Sequence, residues 1–165
     1  MPLVPKVLEV QLSGLAGYGI GRYGSDQLTD IAFDPDNTLV AIPEIQGLAG
    51  IIAHPWTGND LYVYGGWEHA DRAGAHTTSG YGSPTLVVSG CDLEGADPKT
   101  CQAETRDLKQ ITGGFWQDVY KGSYGRFVFG LQGGYIWRDG FSGVGGTPRT
   151  NIGIFMTSVR YYPFA

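Results

Sequence analysis

The stretch that decides the fold is residues 125–138, which read GRFVFGLQGGYIWR. Its large apolar residues stand at odd-numbered positions, and polar or small residues occupy the even-numbered ones. The odd set is Phe127, Phe129, Leu131, Tyr135 and Trp137, and the even set is Arg126, Val128, Gly130, Gln132, Gly134 and Arg138. A period of two over roughly a dozen residues predicts a long β-strand with one apolar face and one polar or small face.

The same period of two recurs along the chain and predicts an all-β fold. Long strands are expected at residues 7–23, 39–54, 59–71, 106–121, 125–138 and 151–162. The first repeats the pattern clearly, with Leu8, Val10 and Leu12 alternating with polar neighbours. The strand at 106–121 is the least regular, and we expect it to contain a β-bulge.

The connections between these strands alternate between short and long. The turns at His54–Asp60 and Lys121–Gly125 are tight, whereas Gly24–Thr38, Arg72–Thr105 and Asp139–Thr150 are longer. An antiparallel meander with short turns at one end and long loops at the other is the organisation of outer-membrane β-barrels. Residues 1–165 are therefore expected to form a single β-barrel-like domain, with residues 72–105 as its longest loop.

The amino-acid composition excludes some classes of protein. Charged residues make up 16% of the chain, below the roughly 25% of an average domain, and there are 27 glycines. No run approaches the roughly 18 apolar residues of a membrane-spanning helix. The eleven Lys and Arg residues are scattered and the net charge is −5, which argues against a nucleic-acid partner.

The number of strands poses a difficulty. Six strands are fewer than the roughly eight of the smallest filled barrels, and an open sheet exposes two edges to other chains. Segments 28–33 and 85–89 could add strands, copies could share one sheet, or the chain could be part of a larger barrel. We favour the last two and expect a homo-oligomer or a piece of a larger barrel, with membrane lipid or other copies as partners.

Two sets of side chains fit a barrel wall. Aromatic residues collect near the short-turn end, as an interfacial girdle requires, although they could also cap a soluble core. They are Trp56, Tyr120, Tyr124, Tyr161, Tyr162 and Phe164. The predicted lumen-facing residues are Arg126, Gln132, Arg138 and Arg160. In a soluble sheet the same four residues would form the hydrated face.

Cys91 and Cys101 lie in the longest loop with nine residues between them. In an oxidising compartment this pair predicts a disulfide, which contributes about 2–3 kcal/mol by restricting the unfolded loop. Free thiols and a metal site are the alternatives. Because the Cys-x-x-Cys spacing typical of zinc sites is missing, we predict no metal and no cofactor.

The weak catalytic candidates are His69, Asp71 and His76, which lie in WEHADRAGAH at residues 67–76. Imidazole and carboxylate groups bind metals and transfer protons. However, a His-x6-His spacing that runs from a strand into a loop matches no established ligand pattern. The alternative is a polar strand end, and we favour a protein that is not an enzyme.

Several short segments occur in an order and spacing that resemble a known family. They are GYGSP at 80–84, the loop from Gly90 to Cys101, GFW at 114–116, YKGSYGR at 120–126 and RYYPF at 160–164. Over about half of its length the chain resembles the C-terminal portion of porin-like outer-membrane proteins of Gram-negative bacteria. The resemblance implies a longer barrel that spans the outer membrane and a terminal aromatic residue that is read by the insertion machinery.

These patterns together predict a passive, porin-like outer-membrane β-barrel segment at the outer membrane or cell surface of a Gram-negative bacterium. Two alternatives remain open. One is a self-assembling extracellular β subunit that adds copies through exposed sheet edges. The other is a small all-β hydrolase with its site among the long loops.

Overall fold

The computed structural model describes residues 2–4, 7–25, 27–74 and 80–164. Within these ranges the chain is all-β, as expected, and its one helix is a single 3-10 turn at Gly21–Tyr23. The strands are β1 (Pro2–Val4), β2 (Leu8–Tyr18), β3 (Ile31–Phe33), β4 (Leu39–Ala41), β5 (Pro43–Ala53), β6 (Asn59–Ala70), β7 (Thr105–Gly122), β8 (Gly125–Gly140) and β9 (Arg149–Tyr162).

Within the same ranges, no helix has both the length and the apolar character needed to cross a membrane.

Seven strands form one antiparallel sheet in the order β1-β2-β5-β6-β7-β8-β9, and β3 and β4 form a separate two-stranded sheet. The six long strands form five consecutive antiparallel pairs, β2–β5, β5–β6, β6–β7, β7–β8 and β8–β9. The predicted meander of six long strands is therefore confirmed. In the described part of the chain the sheet is open, with β9 at one edge and β1 and β2 at the other.

Two strand boundaries differ from the prediction. The strand expected at 7–23 ends at Tyr18, because Gly19 adopts a φ of +65°, a left-handed conformation that glycine tolerates and most residues avoid. The strand expected at 39–54 is divided at Ile42, which is fully buried between β4 and β5. Since β4 pairs with β3, segment 28–33 does not extend the main sheet.

The bulge expected in the fourth long strand is present in β7. The register shifts between Asp118 and Tyr120, so that Tyr120 lies opposite Phe127 of β8. Without the extra residue, Tyr120 would point to the other side of the sheet, because successive side chains alternate between faces. The bulge therefore keeps an aromatic residue on the same side as Phe127 at the turn end of the sheet.

The pairing register assigns each strand residue to one of two faces, because directly opposed residues point to the same side. The apolar face carries Leu8, Val10, Leu12, Ile45, Ala49, Ile51, Leu61, Val63, Trp67, Ile111, Phe115, Phe127, Phe129, Leu131, Tyr135, Trp137, Phe155, Val159 and Tyr161. The polar residues Asn59, Lys109, Gln117, Asn151 and Thr157 lie on the same face. The opposite face, which we call the polar face, carries Glu9, Gln11, Ser13, Glu44, Gln46, Glu68, Gln110, Thr112, Arg126, Gln132, Arg138, Ser158 and Arg160. It is mixed, because it also carries the apolar or aromatic residues Leu15, Leu48, Ile52, Tyr62, Tyr64, Leu108, Trp116, Val128, Ile136, Ile152, Ile154 and Met156.

Among the described residues, the buried hydrophobic cluster lies at the loop end of the sheet and does not extend over either face of the sheet. Its members are Leu28, Ile42, Ala70, Ala73, Tyr81 and Phe141. The rings of Tyr81 and Phe141 meet edge to face, with centroids 5.5 Å apart. By contrast, Leu12, Phe155 and Val159 on the apolar face are 78%, 73% and 69% exposed. The sheet is a single layer whose apolar face remains open.

On the polar face, aromatic rings lie against glycines of neighbouring strands. A Cβ added to Gly50 would lie 2.2 Å from the ring of Tyr64, and one added to Gly130 would lie 2.5 Å from the ring of Trp116. The Tyr64 hydroxyl reaches past Gly50 to donate to Gln11 Oε1 at 3.0 Å. Glycine therefore allows each ring to cover the neighbouring strand.

We expect Gly50→Ala to destabilise the folded protein by about 1–3 kcal/mol, because the new methyl group displaces Tyr64 from its position against β5. The matched control is Gly65→Ala. A Cβ at Gly65 meets nothing within 4 Å, so this change should be neutral or stabilise by about 0.5–1 kcal/mol. Guanidinium unfolding of both variants measures the difference. In a Tyr64→Ala background the cost of Gly50→Ala should disappear; an undiminished cost there contradicts the ring contact as its cause.

Candidate functional site

The long connections fold together at one end of the sheet. We call the described residues 19–25, 27–42, 80–104 and 141–148 the loop cap. Val87 and Val144 form a parallel bridge between two of these segments, and Phe141 N–H donates to Glu104 O at 3.0 Å. The Tyr81 hydroxyl, which is buried, donates to Thr105 O at 2.6 Å and fixes the cap to the start of β7. The cap is thus a packed structure with its own core.

The predicted disulfide is present in the loop cap. Cys91 and Cys101 are bonded, with their Cα atoms 4.7 Å apart. Beside them, Gly90 N–H donates to Thr100 O at 2.9 Å, and Gln102 N–H donates to Val87 O at 2.8 Å. The bond therefore closes a short loop that backbone hydrogen bonds already hold together.

His69 lies at the loop end of β6, on the same side of the sheet as the apolar face. Its Nδ1 is 2.8 Å from Asp107 Oδ1, and its Nε2 is 3.3 Å from Asp71 Oδ1. The structure thus brings together two of the three catalytic candidates, and the third, His76, lies outside the described residues. Both ring nitrogens of His69 therefore lie within hydrogen-bond distance of a carboxylate oxygen.

Asp107 is the centre of this cluster, and it was not among the predicted residues. Its Oδ1 also accepts from Trp67 Nε1 at 3.0 Å, and its Oδ2 accepts from Arg106 Nε at 2.7 Å. Burial raises the pKa of Asp107, but the hydrogen bonds from Trp67, Arg106 and His69 outweigh it and lower the pKa to about 2. Asp107 is therefore a charged anchor at the loop end of β7. Among the described residues, no group of three or more His, Cys, Asp or Glu side chains is arranged to hold a metal ion.

Two buried carboxylates hold part of the loop cap against the polar face. Glu44 and Glu68 are only 5% and 7% exposed. Glu44 Oε2 accepts the backbone N–H of Ile20 at 2.7 Å, and Glu68 Oε1 accepts that of Ser25 at 2.6 Å. Gln46 Nε2 donates to Ile20 O at 3.2 Å. The 3-10 turn between Ile20 and Ser25 is thereby held against the loop end of β5 and β6.

A small cavity opens beside this turn. It has a volume of about 220 Å³, and Ser13, Tyr23, Gly24, Gln46 and Glu68 contribute to its lining. The sequence contained no signal for this arrangement, because it depends on how the chain turns back after Gly19. Among the described residues, Glu44 Oε1 and Glu68 Oε2 have no hydrogen-bond partner although both are buried, and they lie beside Gly21 and Gly24 respectively.

The register places all four predicted lumen residues on the polar face. Arg126 Nε donates to Asp118 Oδ1 at 2.8 Å, and Arg138 Nε donates to Thr105 Oγ1 at 2.7 Å. Gln132 Oε1 accepts from the Tyr62 hydroxyl at 2.7 Å. The guanidinium of Arg160 lies 3.7 Å from the centre of the Trp116 ring. Each of the four side chains is therefore held in place by a neighbour.

The charges on the polar face are divided between its two halves. The half formed by β2, β5 and β6 carries Glu9, Glu44, Asp60 and Glu68. The half formed by β7, β8 and β9 carries Lys121, Arg126, Arg138 and Arg160 beside a single acid, Asp118. This division follows from strand pairing and could not be inferred before the register was known.

We expect Asp107→Asn to destabilise the protein by about 1.5–3 kcal/mol, because hydrogen bonds from Trp67, Arg106 and His69 to a charged acceptor are weakened together. The control is Asp71→Asn, since Asp71 is exposed and makes one long contact with His69. Because the folded pKa of Asp107 is lowered from 3.8 to about 2, its stabilisation is complete above pH 3.8 and is lost as the pH falls toward 2. Unfolding measured between pH 2 and 6 should show this loss in the parent chain and not in Asp107→Asn. Equal effects of the two substitutions contradict the anchor role.

No family model, no curated protein and no solved structure matches the chain.

Proposed function

We propose that the sheet is part of the wall of a porin-like outer-membrane β-barrel, with the apolar face toward lipid and the polar face toward the lumen. Its role is passive, in structure and transport. The observation that carries the proposal is the apolar face, which runs without a covering layer across all six long strands. A contiguous exposed surface of this kind marks a site for lipid or for another protein.

The height of the apolar face matches a membrane. On β8 its large residues run from Phe127 to Trp137, eleven residues along the strand. At about 3.3 Å per residue they extend roughly 33 Å. A strand tilted by about 40° then spans about 25 Å along the membrane normal, which is the height of the lipid-facing band in outer-membrane barrels.

Polar and aromatic residues bound this band. At the loop end, the row that follows Trp67 and Trp137 is charged, with His69 beside Asp107 and Arg149 Nε 3.2 Å from Asp139 Oδ1. At the turn end, the ring of Phe127 stacks on Tyr161 with centroids 4.5 Å apart and meets Tyr120 at 6.3 Å. Aromatic rows at both interfaces and charges beyond them are typical of membrane barrels.

The polar face suits a lumen. Residues that face the interior of such barrels set which ions pass. Here the acidic and basic side chains lie on separate halves of the face, and several are fixed by hydrogen bonds. The disulfide in the loop cap agrees with exposure to an oxidising compartment outside the cytoplasm.

One observation favours a second candidate, the self-assembling extracellular subunit. Both edges of the sheet are open in the described part of the chain, and open edges recruit other strands. In that case the apolar faces would be buried between chains in water. The two candidates therefore differ in whether a folded species needs detergent.

We expect the purified chain to form a discrete species in mild detergent and to aggregate in plain buffer, because the apolar face is satisfied only by an apolar phase. Light scattering in the two solvents measures this, and flotation with lipid vesicles provides a second readout. A discrete species in plain buffer contradicts the membrane proposal and favours the extracellular subunit.

We expect Leu131→Arg to lower the stability of the vesicle-inserted protein by about 2–4 kcal/mol, because it places a charge near the middle of the lipid-facing band. The matched control is Gln132→Arg, one residue along β8 and on the polar face. That change loses the bond from Tyr62, which is worth about 1 kcal/mol. Urea unfolding from vesicles, followed by tryptophan fluorescence, compares them. A greater loss of stability for Gln132→Arg than for Leu131→Arg would contradict the assignment of the two faces.

A further inference from the structure

We infer that β9 of one copy pairs with β2 of a second copy, so that the barrel wall closes between identical chains. The inference rests on the proposed function, since it names the partner that completes the same wall. The contact is heterologous: each copy offers its β9 edge to one neighbour and its β2 edge to another. Such contacts close into a ring when the rotation between copies is constant and adds up to a full turn.

Both edges offer backbone groups for pairing. β9 is fourteen residues long and is exposed along nearly its whole length. At the other edge, β1 pairs with β2 only at Leu8 and Glu9, so the described part of β1 leaves Gln11–Tyr18 open on that side. Open edges of this length are templates for another strand.

The strand directions select which edges meet. β2 runs from the turn end to the loop end, and β9 runs back from the loop end to the turn end. Two copies in the same orientation can therefore join β9 to β2 in an antiparallel pair, with both loop caps on one side of the membrane. An antiparallel β9–β9 pair would turn one copy over and place its loop cap on the opposite side.

Charge favours the same pairing. Glu9 is the one charged residue of β2, and the charged residues of β9 are Arg149 and Arg160. Joining β9 to β2 places the basic half of one polar face beside the acidic half of the next, whereas joining like edges places like charges together. Glu9 also lies 3.7 Å from His54, and Arg160 lies over Trp116, so both charges are already turned onto the polar face.

The face pattern continues across such a joint. With polar positions of β9 opposite polar positions of β2, Leu12 and Ala16 fall on the same side as Phe155 and Val159. If the pairing of β9 with β2 shifted by one residue, Leu12 and Ala16 would lie on the same side as Arg160 and Ser158. The register is therefore restricted to alignments in which the apolar faces of the two copies lie on the same side. Two copies supply twice the six long strands, which exceeds the roughly eight of the smallest filled barrels.

Disulfide cross-linking between variants that each carry one added cysteine tests the contact between β9 and β2. Ser158→Cys lies on the polar face of β9, and the β2 variants are Gln11→Cys, Ser13→Cys, Leu15→Cys and Gly17→Cys on the same face. The native cysteines are paired and leave no thiol in the folded chain. Each β2 variant is mixed with Ser158→Cys in denaturant, refolded into detergent and oxidised. We expect a disulfide-linked dimer in at least one mixture and in none of the variants alone.

The control is Leu12→Cys, which lies on the apolar face and should not link to Ser158→Cys. Light scattering in detergent should give an integral multiple, two or more, of the 17.7 kDa chain.

Three outcomes overturn the inference. The first is a linked dimer of Ser158→Cys alone, which shows β9–β9 pairing. The second is a disulfide within one chain of a further variant that carries both Ser158→Cys and Gln11→Cys, which shows that a single copy closes on itself. The third is the absence of a link in every mixture.

These results separate the inference from the proposed function. A discrete single copy that requires detergent supports the membrane proposal and contradicts pairing between copies. A discrete multimer in plain buffer in which β9 is still cross-linked to β2 supports the pairing between copies and contradicts the membrane proposal.

Discussion

The rest of the structure depends on an apolar sheet face that the described residues leave exposed. Burying a large aliphatic or aromatic side chain is worth about 1.5–3 kcal/mol, so Leu12, Phe155 and Val159 alone forgo about 4–9 kcal/mol when they face water. Whole domains are stable by only about 5–15 kcal/mol. An apolar phase or another chain against this face would recover that free energy, and the proposed membrane wall rests on this gain.

The polar face holds the strands together in a different way. Tyr62 of β6 reaches Gln132 of β8 across Gly114 of β7, and Tyr64 of β6 reaches Gln11 of β2 across Gly50 of β5. Alternate strands lie roughly 9.5 Å apart, so only long side chains that pass over a glycine can join them. These contacts connect strands that share no backbone hydrogen bonds. The high glycine content thus serves the polar face as well as the turns.

Much of the fold followed from the period of two, because alternation along Phe127–Trp137 reports both strand and face without knowledge of the partner strand. The bulge in β7 was likewise visible as irregularity. The candidate site was harder to predict from the sequence. His69 was selected by residue type, but its partner Asp107 lies 38 residues away and is brought close only by the β6–β7 register. The burial of Glu44 and Glu68 depends on the turn after Gly19, which alternation extended as strand.

The two ends of the molecule are stabilised by different means, and this has a consequence for how a barrel would form. The loop cap buries Ile42, Tyr81 and Phe141 together with Ala70 at the end of β6 and is closed by a disulfide, so its packing does not require lipid. The turn end has tight turns and exposed aromatic residues, such as Tyr124 and Phe164, and no comparable core in the described residues. In the proposed barrel the exposed aromatic residues of the turn end therefore lie at the lipid interface. The cap, the charged row beside it and the carboxylates under the 3-10 turn then keep the long loops together on one side of the membrane.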